Sequence, residues 1–192
     1  MQLQTGLRER KKELRRQAIV SAAWELFRER GYAATTVEEI AARAGIARRT
    51  FFRYFPTKEA VVFHNSAERL ALFAGLLREG GAGFPAVAHA CMGMAEHYQR
   101  HRDEVVEQYR LIESSPALAV AEDEIDRQWV AAIAEALASR GTAGAKRQAR
   151  IVAGAIFGAM RATLSEWLAD GGRTDLARLG TKALSLFDGA RA

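Results

Sequence analysis

Nine consecutive residues, Ala47-Arg48-Arg49-Thr50-Phe51-Phe52-Arg53-Tyr54-Phe55, carry the densest chemistry in the chain. At helical spacing Ile46, Phe51 and Phe55 can face a core, which leaves Arg48, Arg49, Arg53 and Tyr54 facing out, with Thr50 as a short hydroxyl among them. Arginine presents a planar fork of donors that grips guanine O6/N7 or a phosphate. A major groove admits one helix of this kind, with its N-terminal residues against base edges. Other candidates lie around it. Thr36 and the N–H groups after it can meet a phosphate at the positive end of a short helix, and Lys58 sits similarly before a longer one. Arg8, Arg10, Lys11, Lys12, Arg15 and Arg16 form a basic cluster that could run as an arm along a phosphate backbone or minor groove.

The elements that must position these residues read as helices throughout. Ala, Leu, Glu and Arg dominate, prolines occur only at 56, 85 and 116, and bounded Val/Ile/Thr alternation is absent. The spacing predicts an all-α chain of about nine helices, near 8–30, 36–44, 47–55, 58–78, 85–100, 103–113, 117–140, 145–170 and 174–188. Gly31 and Gly45 suit positions just past helix ends. Thr36 and Glu39 have the spacing of a capping box. Two short helices joined by a Gly-containing turn, after a longer helix, make a helix-turn-helix candidate. The predicted division is a helix-turn-helix domain over 1–56 and a further helical domain over 57–192.

Charge supports that division. The chain has 192 residues and a net charge of +5, yet residues 1–60 alone carry 13 Lys+Arg against 7 Asp+Glu. A basic first third beside a near-neutral remainder suits a polyanion partner for the former, although a solvated basic helix would look the same on charge alone. A single Cys excludes an internal disulfide framework and multi-cysteine metal sites. The longest apolar run, 151–160, is too short to span a bilayer, and the charged N-terminus lacks the apolar stretch of a signal peptide. The expectation is a cytoplasmic protein with no membrane partner. No Gly-rich phosphate loop, HExxH or nucleophile elbow is present. The acidic run Glu122, Asp123, Glu124, Asp126 reads as a solvated helix start. A non-enzyme without cofactor is expected.

Residues 36–46 and 49–60 together resemble the DNA-binding domain of TetR-family transcriptional regulators, over about residues 12–62. The segments Tyr109-Arg110-Leu111-Ile112-Glu113-Ser114-Ser115-Pro116-Ala117-Leu118 and Trp167-Leu168-Ala169-Asp170-Gly171-Gly172 are similar to the mycofactocin-regulator-like branch. The resemblance implies a three-helix DNA-binding domain over 1–56 on a helical ligand-binding and dimerisation domain over 57–192, a two-fold dimer through the last two long helices on a palindromic operator, and repression relieved by a small molecule, for this branch an acyl-CoA-like effector. Two departures stand out. Ala47 occupies a place where the family commonly has Ser or Thr, so one helix cap is missing. Phe52 stands where Tyr is frequent, so one hydroxyl is missing.

In the second domain, Phe84, His89, Met92, Tyr98, Tyr109, Trp129 and Phe157 mix apolar walls with polar tips and are the candidate ligand-binding residues. Each could equally be plain core. His97 and His101, four apart, could share a metal, but no third ligand of matching spacing is near, so no metal site is expected. Cys91 reads as a small buried apolar residue rather than a redox sensor. The helix near 145–170 is apolar on two faces; a second apolar face suits a partner helix, although both faces could equally be buried within one subunit. Ile151, Gly154, Ala155, Gly158 and Ala162, with Leu179 and Ala183 from the last helix, are the candidate homodimer interface. The rival reading is a DNA-binding module without an effector, architectural or controlled by a protein partner. A cavity below about 300 Å³ in the second domain would favour it.

Overall fold

The computed structural model describes residues 2–138 and 143–187, with side chains from Arg8 onward. Among these residues all regular structure is helical: α1 (Gln2–Arg30), α2 (Val37–Arg43), α3 (Arg48–Tyr54), α4 (Glu59–Val62), α5 (Ser66–Glu79), α6 (Gly83–Arg100), α7 (Arg102–Glu113), α8 (Pro116–Ala138), α9 (Ala143–Ala169) and α10 (Leu176–Ser185). The all-α expectation holds, with one more helix than predicted. The expected helix over 58–78 is two helices, α4 and α5. Val61, Val62, Phe63, His64 and Asn65 are weak helix formers in a row. The His64 backbone N–H and ring Nδ1 both lie within hydrogen-bond reach of the Val61 carbonyl, so the chain closes one turn there before restarting at Ser66.

The chain forms two compact units. The first holds the residues up to His64 together with Leu111–Ala121; the second holds Asn65–Arg110 and the described residues from Glu122 on. In the first, α1 contributes Ile19, Ala23, Leu26 and Phe27, one helical stripe, to a core shared with Ile40, Phe51, Phe55, Val61 and Val62. Ile112 and Leu118, from the end of α7 and the start of α8, are buried in the same core. Gly31 and Gly45 end α1 and α2 at φ 81 and 65, the left-handed region where a Cβ is penalised.

The second unit has two apolar clusters. The larger packs Phe73 of α5, Val87 and Met94 of α6, Trp129 and Ile133 of α8, and Ala153 and Ile156 of α9. Trp129 stacks on Phe73 with ring centroids 4.8 Å apart. The smaller gathers Val105, Val106, Trp167, Leu168 and Leu176. Trp167 is fully buried, and its indole N–H donates to the Thr174 carbonyl at 2.8 Å, so no polar atom is left stranded there. No helix among the described residues is long and apolar enough to cross a membrane.

Candidate DNA-binding interface

The interface is built by α2 and α3 on the scaffold of α1. Thr36 caps α2: its hydroxyl accepts the Glu39 N–H at 3.2 Å, and the Glu39 carboxylate accepts the Thr36 N–H at 2.9 Å. These bonds from Thr36 hold the Glu39 carboxyl below its ordinary range, and Arg30, 2.6 Å away, adds to the effect. At the far end of α2, Arg43 makes a bidentate pair with Glu29 (2.9 and 3.0 Å) and reaches Glu25 at 3.2 Å. Hydrogen bonding from Arg43 lowers the Glu29 carboxyl. The pairs are exposed, so their worth lies in fixing the angle of α2 on α1 more than in net stability.

α3 has no such local support. Its N-cap, Ala47, makes no side-chain cap bond. The helix is held by Phe51, fully buried, and by Phe55, which follows it, with ring centroids 6.0 Å apart. Ile46 packs half-buried on the same core. Arg48, Arg49 and Arg53 all remain exposed, and Thr50 is half-buried. Among the described residues no ion pair ties Arg49 down. Arg53 lies over the Tyr54 ring at 5.4 Å. Tyr54 itself is half-buried and rests against the core, so it is less outward than helical spacing alone suggests.

Beside α3 a groove of about 750 Å³ is lined by Glu9, Arg10, Lys12, Glu13 and Arg16 of α1 and by Arg53 and Tyr54. The basic cluster is therefore no detached arm. Residues 8–15, Lys11 and Lys12 among them, are an exposed, continuous part of α1, which already runs as helix from Gln2. Lys58 turns inward. Its ammonium donates to the carbonyls of Tyr32 and Thr35 at 2.9 and 2.8 Å and sits 4.0 Å from the Tyr32 ring centre. Burial pushes its pKa down, against the pull of Glu59. Two of its three donors are engaged there, and one remains.

Sequence spacing passed over Glu38. In α2 it looks like a first-turn acid favoured by the helix dipole, but its carboxylate lies 2.5 Å from Arg48 Nε. Partners ten residues apart across a turn carry no periodic signal.

The second-unit candidates divide. Phe84 and Trp129 are buried in the larger cluster, and Phe157 and Tyr98 pack half-buried against it. Met92 is half-buried, with the Thr181 hydroxyl 3.5 Å from its sulfur. Tyr109 pairs its hydroxyl with that of Ser165 at 3.1 Å. His89 stands outside this group, exposed and 3.9 Å from Glu79. Arg161 of α9 is bracketed by Glu122 at 2.7 Å and Asp126 at 3.3 Å, both of α8. Burial raises the Asp126 carboxyl to about 6 despite the arginine. Cys91 is buried against the Met160 sulfur at 3.3 Å, and burial pushes its thiol up to about 12. His97 and His101 stack with ring centroids 4.4 Å apart; among the described residues no group of three or more metal-ligating side chains gathers.

On α9, Ala153, Ile156 and Trp167 are buried, while Gly154, Ala155, Gly158, Ala162 and Ile151 (64% exposed) form an uncovered stripe. Leu179 and Ala183 of α10 are half-buried.

Comparison with known proteins agrees with this geometry. Residues 19–64 match the profile of bacterial regulatory proteins of the tetR family, and residues 83–191 match that of the MftR C-terminal domain. The HTH-type transcriptional regulator TcmR of Streptomyces glaucescens is 48% identical over 56 residues, which are 29% of this chain and 25% of that protein. Matches of this kind span less than a third of the curated relatives' length. The fatty acid metabolism regulator protein of Bacillus subtilis is 25% identical over 177 residues, 88% of this chain and 91% of its own. Thermus thermophilus FadR, a TetR-family transcriptional repressor solved in complex with lauroyl-CoA, is 31% identical, with a TM-score of 0.60 over 92% of this chain and 95% of that one. With the two profiles covering most of the sequence and a relative above 30% identity matched along nearly its whole length, the chain belongs to the TetR family of bacterial transcriptional regulators, with a C-terminal domain of the MftR type.

Proposed function

We propose that the protein is a ligand-responsive repressor that binds a palindromic operator as a homodimer in the cytoplasm. The observation that carries this reading is α3: three arginines exposed on one short helix whose opposite side is locked into a core by Phe51 and Phe55. Arg48 and Arg49 are assigned to base edges of the major groove. Thr36, Thr50, Arg53, Tyr54, Lys11 and Lys12 are assigned to phosphates and sugars, with the remaining proton of Lys58 available for one more. The residues up to 56 then act as the DNA-binding domain and 57–192 as the sensing and dimerising domain.

Dimerisation is assigned to the uncovered stripe of α9, Ile151, Gly154, Ala155, Gly158 and Ala162, with Leu179 and Ala183 of α10. Small residues there let a second copy approach closely. The effector is assigned to the second unit, with Phe84, Met92, Tyr98, Trp129 and Phe157 as apolar walls, Tyr109 as a polar tip and His89 at the rim. The lauroyl-CoA complex of the Thermus thermophilus relative supports an acyl-CoA-like molecule. Such a molecule releases DNA only if it binds the non-operator arrangement more tightly than the operator-bound one.

The test uses a duplex selected by the full-length protein from a randomised pool. Adding lauroyl-CoA is expected to dissociate the gel-shifted complex and to raise the melting temperature of the free protein. Sequence-specific binding that no acyl-CoA of any chain length relieves would favour a DNA-binding module controlled by a protein partner.

A further inference from the structure

The pairing of Glu38 with Arg48 is the feature that the assigned contacts leave unexplained. Glu38 is an exposed acid beside a surface read as meeting a polyanion, where its charge opposes binding. As an exposed ion pair it also adds little to stability. What it does is geometric. Its Oε1 lies 2.5 Å from Arg48 Nε. The guanidinium carbon of the same arginine lies over the Phe52 ring, 5.1 Å from its centre. Phe52 is in turn held edge-on by Phe51, at 84° and 5.4 Å, and Phe51 is fully buried. A long side chain at the start of α3 is thus held between a carboxylate at its Nε and an aromatic ring, itself exposed, that packs on the buried Phe51.

We infer that Glu38 is a positioning residue for base recognition: it holds Arg48 so that the two terminal amino groups, Nη1 and Nη2, present a fixed fork to one guanine. The inference rests on the DNA-binding reading above. It accounts for Phe52 as well. A phenyl ring without a hydroxyl is a flat apolar support for a guanidinium, which is a use for this residue other than a phosphate contact. Fixing the arginine before it binds removes rotamer entropy that complex formation would otherwise have to overcome, and it restricts which base pair satisfies the fork.

The experiment measures base preference, not affinity alone. Duplexes are selected from a randomised pool with the full-length protein. Binding is then measured for every single-base change in the selected site, for wild type, Glu38→Ala, Arg48→Ala and the double variant, alongside melting temperature and binding to an unrelated duplex. Glu38→Ala is expected to lower the melting temperature only slightly, through the loss of one acid at the positive end of α2, and to tighten binding to the unrelated duplex, since a repelling charge is gone. At one base pair per half-site its preference falls by about tenfold, the scale of a lost bidentate contact. The double variant should match Arg48→Ala at that position. Preferences unchanged at every position in Glu38→Ala would overturn the inference, as would losses from the two single substitutions that multiply in the double variant. If the wild type selects no sequence at all, the DNA-binding reading fails first and this inference falls with it.

Discussion

Helices α2 and α3 are both seven residues long and are joined by the four residues 44–47, yet their support comes from different places. α2 is built to be a helix. Thr36 and Glu39 satisfy its free N–H groups, Glu38 and Glu39 lie at its positive end, and Arg43 lies at its negative end. α3 departs from the first two of these rules and keeps only the third, with Arg53 at its negative end. Ala47 provides no cap, and Arg48 and Arg49 put positive charge at the positive end. It persists because Phe51 and Phe55 are part of a core drawn from α1, α2 and α4. Apart from the pairing of Glu38 with Arg48, the residues of α2 are explained by the helix they form. Those on the outer side of α3 are not, and a surface that works against its own helix is one kept for something it touches.

The sharpest way to break this contrast is Phe51→Ala. Truncating a fully buried ring at the only anchor in the middle of α3 should cost about 3–5 kcal/mol, read as a large drop in unfolding midpoint by urea or heat. A small shift would mean that α3 stands by itself. Next is Arg49→Ala, which should weaken operator binding by ~1–3 kcal/mol in an anisotropy titration while leaving the melting temperature in place. A fall in stability without loss of binding would reverse the roles assigned to the two helices.

Two smaller substitutions probe the caps directly. Thr36→Ala removes the cap of α2 and should lower stability by ~1 kcal/mol in chemical denaturation. Ala47→Ser supplies the missing cap of α3 and should raise stability by somewhat less than ~1 kcal/mol. If Ala47→Ser destabilises the protein, the extended backbone at that position (φ −72, ψ 148) does not act as an ordinary cap site.

The same contrast explains what could be read from the sequence. α2 was legible to within a residue at each end because its signals are local: a capping box before it, a glycine with positive φ after it. The outward arginines of α3 were legible because Phe51 and Phe55 mark the opposite side at helical spacing. Other features depend on partners far along the chain. Ile112 and Leu118 look like any apolar helical residues, and nothing in their neighbourhood says that they belong to the core of the first unit. Lys58 reads as a free cation until Tyr32 and Thr35 turn their carbonyls toward it. His89 lies on the exposed side of α6 although its neighbour Ala90 is fully buried, and which side of that helix faces the bundle is decided by α5 and α10. The break at 63–65 needed only propensity, but one apolar pattern running through 61–77 concealed it.

The central claim is that α3 reads guanines in the major groove. Methylation interference on the selected duplex tests it most directly, because one reagent methylates guanine N7 in the major groove and adenine N3 in the minor groove. The account predicts that N7 methylation of a guanine in each half-site blocks binding by the wild type, and that Arg49→Ala or Arg48→Ala loses sensitivity at one of those guanines. Interference confined to adenine N3, with guanine N7 methylation tolerated throughout, would contradict it.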